Sequence, residues 1–363
     1  MLIETLSSTY FRNLASQTIS FSPGVNLLVG ENGQGKTNVL EAIYLFKFGR
    51  SFRTRRDSDM IRFGEDFCRV EIWSALERGD SEQFSLAVEA SGAKQAKVSG
   101  KAISKFSELV GKYPCVLFGP QDLMLANGPP EERRRFIDMT GSMTDRSYLE
   151  LLKGYRRALQ QRNAALKLAA IPEERSLWDR ELVEKGCALT ERRTRVVEQI
   201  VRHVKRHSST LSHLFEFSLD YKSSFMDESM AATDAREAFS MKLASMEEEE
   251  ARRGVTLVGP HRDDVFLLEG GKDLKRFGSQ GQKRLLAVLM KLAELSFLEA
   301  ELEEPCVLLL DDVFSEFDAT IGKRLMQLLN DGRQVFVTSP SQLEWKDARF
   351  MKKFRVEAGT LGA

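Results

Sequence analysis

Two stretches of this 363-residue chain carry side chains suited to a nucleoside triphosphate. Gly30-Glu31-Asn32-Gly33-Gln34-Gly35-Lys36-Thr37 fits the pattern G-x-x-x-x-G-K-[ST] with no mismatch. Glycines permit the tight turn, backbone N–H groups face inward, and a helix starting there adds partial positive charge. Lys36 is placed to reach the β- and γ-phosphates, and the hydroxyl of Thr37 to sit on Mg²⁺. The second stretch, Val307-Leu308-Leu309-Leu310-Asp311-Asp312, is an apolar run that ends in two carboxylates, the Walker B arrangement. In open α/β sheets ligands collect at the C-terminal ends of parallel strands. Asp311 is expected to hold Mg²⁺ through water, and Asp312 to orient or deprotonate the attacking water.

The flanking sequence must supply strand, loop and helix around these groups. Gly24-Val25-Asn26-Leu27-Leu28-Val29 reads as a short buried strand, and Val39, Leu40, Ile43, Tyr44 and Phe46 recur at helical spacing as far as Phe48. Residues 2–6, 17–21 and 25–29 are expected as strands, with Arg12-Asn13 and Pro23-Gly24 as turn signals. Between 67 and 98 the apolar residues alternate, which predicts an antiparallel meander. A buried strand at 113–118 then leads into Gly119-Pro120-Gln121-Asp122. From about Ala126 the chain turns rich in Arg, Glu, Leu and Ala, and strand signals nearly vanish. Pro172 divides two helical patterns, at about 146–170 and 173–216. The second repeats Leu182, Leu189 and Val196 at seven, with Trp178, Ile200, Val204 and Leu211 on the same stripe, and would run roughly 65 Å at 1.5 Å per residue.

After Val255 a strand is expected at 265–268, a helix at 280–301, a strand at 305–310, a helix at 320–329 and a strand at 334–338. The predicted organisation is one discontinuous ATPase domain, 1–125 with 255–363, and an inserted all-helical arm or lid at 126–254. In fold class this is α/β, with mixed sheets plus helices.

Composition bounds the partners. Lys+Arg and Asp+Glu both number 53, so net charge exerts no pull toward polyanions, and any such site must come from local clustering. The clusters are Arg53, Arg55 and Arg56 in one loop, the arginines at 133–135, and Arg156-Arg157. The four cysteines show neither a C-x-x-C nor a disulfide framework. No segment approaches eighteen apolar residues, and the N-terminus shows no leader pattern, so a cytoplasmic protein with no membrane partner is expected.

Several further stretches resemble those of ABC-type ATPases. Ser279-Gln280-Gly281-Gln282, ahead of a long helix, is similar to the S-x-G-Q signature, whose serine and glycine cap a phosphate from the opposite subunit. Ser315-Glu316-Phe317-Asp318 resembles the D-loop. Gln121 stands where such enzymes place a glutamine that touches Mg²⁺ and water. Thr338-Ser339 ends a strand where many relatives carry a switch histidine, and this chain has none there. Taken together the chain resembles the bacterial RecF family, SMC-like ABC-type ATPases of DNA repair. The blocks that carry the likeness are the phosphate loop through Tyr44, Ser51-Phe52-Arg53-Thr54, Pro130 through Asp138, Gly259-Pro260-His261-Arg262-Asp263-Asp264 and Phe277 through Gln282.

The resemblance implies an ATP- and Mg²⁺-dependent homodimer on DNA and weak ATP hydrolysis. It further implies action with RecR and RecO in placing RecA at gapped or junction DNA, in repair, replication restart and the SOS response. It also implies that Gly30 through Thr37 together with Ser279, Gly281 and Gln282 bind ATP, that Lys36, Asp311, Asp312 and Gln121 serve hydrolysis, and that Thr37, Asp311 and Gln121 face the metal. For the 259–264 block the residues suggest only a turn entering a strand. The competing reading is an ATPase subunit of a transporter, which shares loop and signature but fits the central helices and the antiparallel N-terminal strands poorly. A GTPase would need an N-K-x-D, and none occurs.

Overall fold

The computed structural model describes residues 1–75, 81–168, 172–211, 216–226, 234–316, 322, 325, 332–340 and 351–362. In the first third of the chain lie β1 (Leu2–Thr9), β2 (Gln17–Ser20), β3 (Val25–Val29), α1 (Lys36–Phe48), β4 (Phe67–Ala75), β5 (Ser81–Glu89), β6 (Lys94–Val98), β7 (Lys101–Ala102) and β8 (Cys115–Phe118). Then come α2 (Leu123–Asn127), α3 (Pro130–Thr144), α4 (Arg146–Lys167), α5 (Pro172–Leu211), β9 (Phe217–Lys222), α6 (Ala235–Ser245) and α7 (Glu247–Arg253). The last part holds β10 (Asp264–Glu269), β11 (Lys272–Asp273), α8 (Leu274–Phe277), α9 (Gln280–Leu302), β12 (Val307–Asp311), β13 (Val335–Ser339), β14 (Lys352–Glu357) and β15 (Thr360–Gly362). Apart from Gly322 and Leu325, the helix expected at 320–329 lies outside the described residues, as does the Phe317-Asp318 half of the D-loop.

The chain divides into two compact units, Met1–Gln121 with Leu298–Ala363, and Asp122–Phe297. In the first, one sheet has the order β2-β1-β4-β5-β6-β7 and the other β15-β14-β3-β13-β12-β8. The former is antiparallel, and its residues alternate between core and solvent: β4 buries Cys68, Val70, Ile72 and Ser74 opposite Val88, Leu86 and Phe84 of β5. The second sheet is parallel from β14 to β8. Its central strands are buried throughout, which is why Val307 to Leu310 and Val335 to Val337 read as unbroken apolar runs. Helix α1 shares one core with inner residues of both sheets, through Val39, Leu40, Ala42, Ile43, Leu45 and Phe46. The Phe46 ring stacks on Tyr113 at 3.8 Å and meets Phe84 edge-on at 5.0 Å.

In the second unit α4 and α5 run antiparallel: Arg162 meets Asp179, Tyr155 lies against Gly186, and Asp145 pairs with Arg192. The heptad stripe is the buried one, with Leu182, Leu189, Val196, Ile200 and Val204 all inside. Two features differ from the sequence expectation. Phe217–Lys222 is a strand, part of a sheet of order β11-β10-β9, so this unit is not purely helical. The unit also extends to Phe297 rather than ending near 254. The reason is pairing: β10 joins β9 antiparallel from Asp264↔Lys222 to Glu269↔Phe217, and Arg133 grips Asp264 with two bonds of 2.9 Å.

The 259–264 block sits amid this unit's buried polar groups. Asp263 accepts from Tyr221 at 2.5 Å and from the Ser224 N–H at 2.7 Å, while the Pro260 carbonyl accepts from Arg193 at 2.5 Å. His261 lies 2.7 Å from the Tyr155 hydroxyl and 3.0 Å from the Thr256 carbonyl, and burial pushes its pKa down to about 4. It is neutral at pH 7, with its hydrogen on Nε2 toward Thr256. Arg193 also forms a fork with Asp138, at 2.9 Å from each nitrogen, and the two side chains are 4% and 5% exposed. Asp138→Ala strands that cation, so chemical denaturation should show a loss of about 3–5 kcal/mol. Removing Glu191 from its exposed pair with Arg195 should cost at most about 1 kcal/mol. Equal losses for the two variants would refute this ranking.

Candidate nucleotide site

The phosphate loop leaves β3, which is flanked in parallel by β13 and β14, and enters α1 at Lys36. Two of its glycines are demanded by geometry. A Cβ on Gly30 would stand 2.3 Å from the carbonyl oxygen of Val356 in β14, and Gly35 caps the helix at φ 112°. Gly33, at φ 82°, shares this left-handed backbone, while Glu31 and Asn32 lie exposed on the outer turn. Lys36 is buried, and its ammonium donates to the carbonyls of Gly30 at 2.5 Å and Glu31 at 2.8 Å. Burial lowers its pKa, opposed by the charges of Asp312 and then Asp311.

Tertiary structure brings both halves of the expected site together. The Thr37 hydroxyl donates to Asp311 Oδ1 at 2.8 Å, joining the loop to the end of β12. Thr338 on β13 lies 2.9 Å from the same oxygen. Burial raises the Asp311 pKa, and the hydrogen bonds from Thr37 and Thr338 counteract it. Asp312 follows at φ 53°, a left-handed backbone that few residues other than glycine adopt and that Asp tolerates. A hydroxyl and a carboxylate at this spacing are hard oxygen donors of the kind Mg²⁺ takes.

Gln121 follows β8, the edge neighbour of β12. Its side chain is exposed and folds over Gly119, where an added Cβ would be 2.9 Å from both amide atoms. No hydrogen bond joins it to Asp311 among the described residues. Ser279, Gly281 and Gln282 belong to the second unit, at the exposed start of α9. The Ser279 N–H donates to Gln282 Oε1 at 2.7 Å and the Gln282 N–H to Ser279 Oγ at 3.2 Å, a reciprocal cap that leaves the helix end open to solvent.

Further residues brace the loop. Asn13 Nδ2 donates to the Gly33 carbonyl at 3.0 Å, and Asn38 holds Asn13 at 2.7 Å. Gln34 is gripped from the far end of the chain, its side chain by the Ala358 N–H at 2.6 Å and its carbonyl by the Gly359 N–H at 2.9 Å. On α1, the fully buried Glu41 accepts two bonds from Arg12, at 2.7 and 3.0 Å. Ser51 adds a third at 2.5 Å and Arg53 a fourth at 3.3 Å, which ties the S-F-R loop to the phosphate-loop helix. Of these, Ala358 and Gly359 carried no sequence signal; Arg12-Asn13 read as a turn, Gln34, Asn38 and Glu41 fell within the phosphate-loop block, and Ser51 and Arg53 within the S-F-R block.

Comparison with known proteins agrees with this geometry. The family model described as the RecF/RecN/SMC N-terminal domain matches residues 2–360. The DNA replication and repair protein RecF of Symbiobacterium thermophilum is 40% identical, over 99% of this chain and 98% of its own. That of Bacillus subtilis is 34% identical, over 99% and 100%. Among solved structures, the recombination mediator protein RecF-ATP of the RecFOR pathway superposes with a TM-score of 0.92 at 31% identity, covering 99% of this chain and 97% of that one. An Smc head bound to ScpA, at 18% identity and a TM-score of 0.61, shares the fold. With an ATPase head fold, an intact phosphate loop closed on Asp311 and full-length likeness at this level, the chain belongs to the RecF family of DNA replication and repair proteins.

Proposed function

We propose that this chain is a weak, Mg²⁺-dependent ATPase whose ATP-bound form is a homodimer on DNA, and that it works in the cytoplasm with RecO and RecR to help load RecA at gapped or single-/double-strand junction DNA. The observation that carries the reading is the Thr37–Asp311 contact of 2.8 Å in a chain 31% identical to a RecF solved with ATP. Thr37 and Asp311 would hold Mg²⁺, which would neutralise charge on the phosphates. The loop N–H groups and Lys36 would bind the phosphates, and Asp312 would orient the attacking water. Gln121 would join them only after its side chain leaves Gly119. Among the described residues no helix is long and apolar enough to cross a membrane.

Exposed arginines are the natural contacts for the DNA backbone. Arg55, Arg56, Arg135, Arg156 and Arg157 are exposed. Arg133 drops out of its cluster, since it is buried on Asp264, and Arg134 is half-buried against the Asp263 carbonyl. A gel shift with gapped DNA tests the reading. Binding should require ATP, ignore sequence, and weaken at least roughly tenfold between about 50 and 200 mM salt, as phosphate contacts dictate. Salt-insensitive binding, or equally tight binding without ATP, would contradict it.

A further inference from the structure

Thr338 stands near the end of β13, at the place where the sequence offers no histidine. Its residue is 2% exposed, and three groups surround its Oγ1: Asp311 Oδ1 at 2.9 Å, the Asp312 N–H at 2.9 Å and the Leu310 carbonyl at 3.5 Å. A hydroxyl has one hydrogen to give. The nearer carboxylate takes it in preference to the distant carbonyl, and the oxygen's lone pair accepts the Asp312 N–H. Thr338 is the parallel partner of Asp311 in the β12–β13 ladder. There the chain turns out of β12 through the left-handed Asp312, whose N–H the hydroxyl receives.

We infer that Thr338 is a positioning residue for ATP hydrolysis, holding Asp311 by its side chain and Asp312 by its backbone. Its one hydrogen is committed to Asp311, so it does not stand in for a side chain that touches phosphate. Thr37 approaches the same Oδ1 from the loop, which leaves that carboxylate oxygen clasped between two hydroxyls. Losing Thr338 frees Asp311 to rotate and lets the Asp312 turn relax, while Lys36 and the loop N–H groups stay in place. Turnover should therefore suffer before nucleotide binding does. The inference rests on the ATPase reading above.

Thr338→Val keeps the branched shape suited to a strand and removes the hydroxyl. Turnover should fall about tenfold or more, the loss expected when buried polar groups lose a shared partner, while affinity for a fluorescent ATP analogue changes less than about threefold. Thr338→Ser, which retains the hydroxyl, should recover turnover to within about threefold of wild type. Backbone hydrogen exchange gives a readout independent of hydrolysis: the peptide containing Asp312 should exchange faster in the valine variant than in wild type or the serine variant. Wild-type turnover in Thr338→Val, an equal loss in the serine variant, or a loss of ATP binding as large as that of turnover overturns the inference. Should the wild-type protein itself hydrolyse no ATP, the ATPase reading falls, and the exchange measurement decides on the clasp alone. Equal exchange in wild type and Thr338→Val would then overturn it.

Discussion

Asp312→Asn is expected to bind ATP as wild type does and to hydrolyse it about 10²- to 10⁴-fold more slowly, the range for losing a positioned acid–base group. The substitution isolates the chemistry because the fold has reason to accept it. Asn tolerates the left-handed backbone that Asp312 adopts at φ 53°, and the backbone N–H that Thr338 receives at 2.9 Å is untouched. Thr37, Asp311 and Lys36 remain, so the phosphate and metal contacts proposed for them would persist. Lys36→Ala should behave in the opposite sense. It removes the ammonium aimed into the loop, and ATP affinity should drop at least roughly tenfold, since hydrogen bonds to charged groups contribute about 1.5–3 kcal/mol. Isothermal titration for binding and phosphate release for turnover separate the two outcomes. Equal turnover by Asp312→Asn and wild type would remove that residue from the mechanism.

The second large effect concerns where each ATP is completed. The phosphate loop belongs to one unit of the chain, and Ser279 to Gln282 belong to the other, at a capped and exposed helix start. We propose that ATP lies between the phosphate loop of one chain and the Ser279 of a second. Two-fold pairing uses the same surface on both partners and completes two sites at once. ATP that binds fully only in the dimer then drives dimerisation by mass action. Lys36→Ala disables one side, and Ser279→Arg blocks the other with bulk and charge. The latter should fold, because losing a Ser cap costs about 1 kcal/mol and the Ser279 N–H to Gln282 bond is made by the backbone. Each variant alone should be inactive. Mixed in equal amounts, half the dimers are heterodimers with one intact site each, so up to roughly a quarter of wild-type activity should return. A mixture that stays inactive, with both variants folded and exchanging subunits, would sink the shared site.

Contiguous chemistry was legible from the residues alone. Gly30 to Thr37 form the loop they spell, because glycine spacing and a following apolar helix are local properties. The buried seven-residue stripe of α5 is local in the same sense. So are Val307 to Leu310, whose unbroken apolar character requires burial on both faces of a sheet. Tertiary structure decided which distant groups meet these local pieces. Thr338 reaches Asp311 only because β13 inserts between β3 and β12. Ala358 and Gly359 bind Gln34 because β14 lies beside β3 in parallel, and Val356 for the same reason leaves room for no side chain on Gly30. Arg133 looked available for DNA within a run of three arginines, yet the fold buries it on Asp264. The distinction is physical. Propensity, capping and turn geometry act over a few neighbouring residues. The partner of a buried carboxylate or guanidinium depends on strand order and helix packing among residues far apart in the chain, and none of them carries a local mark of the meeting.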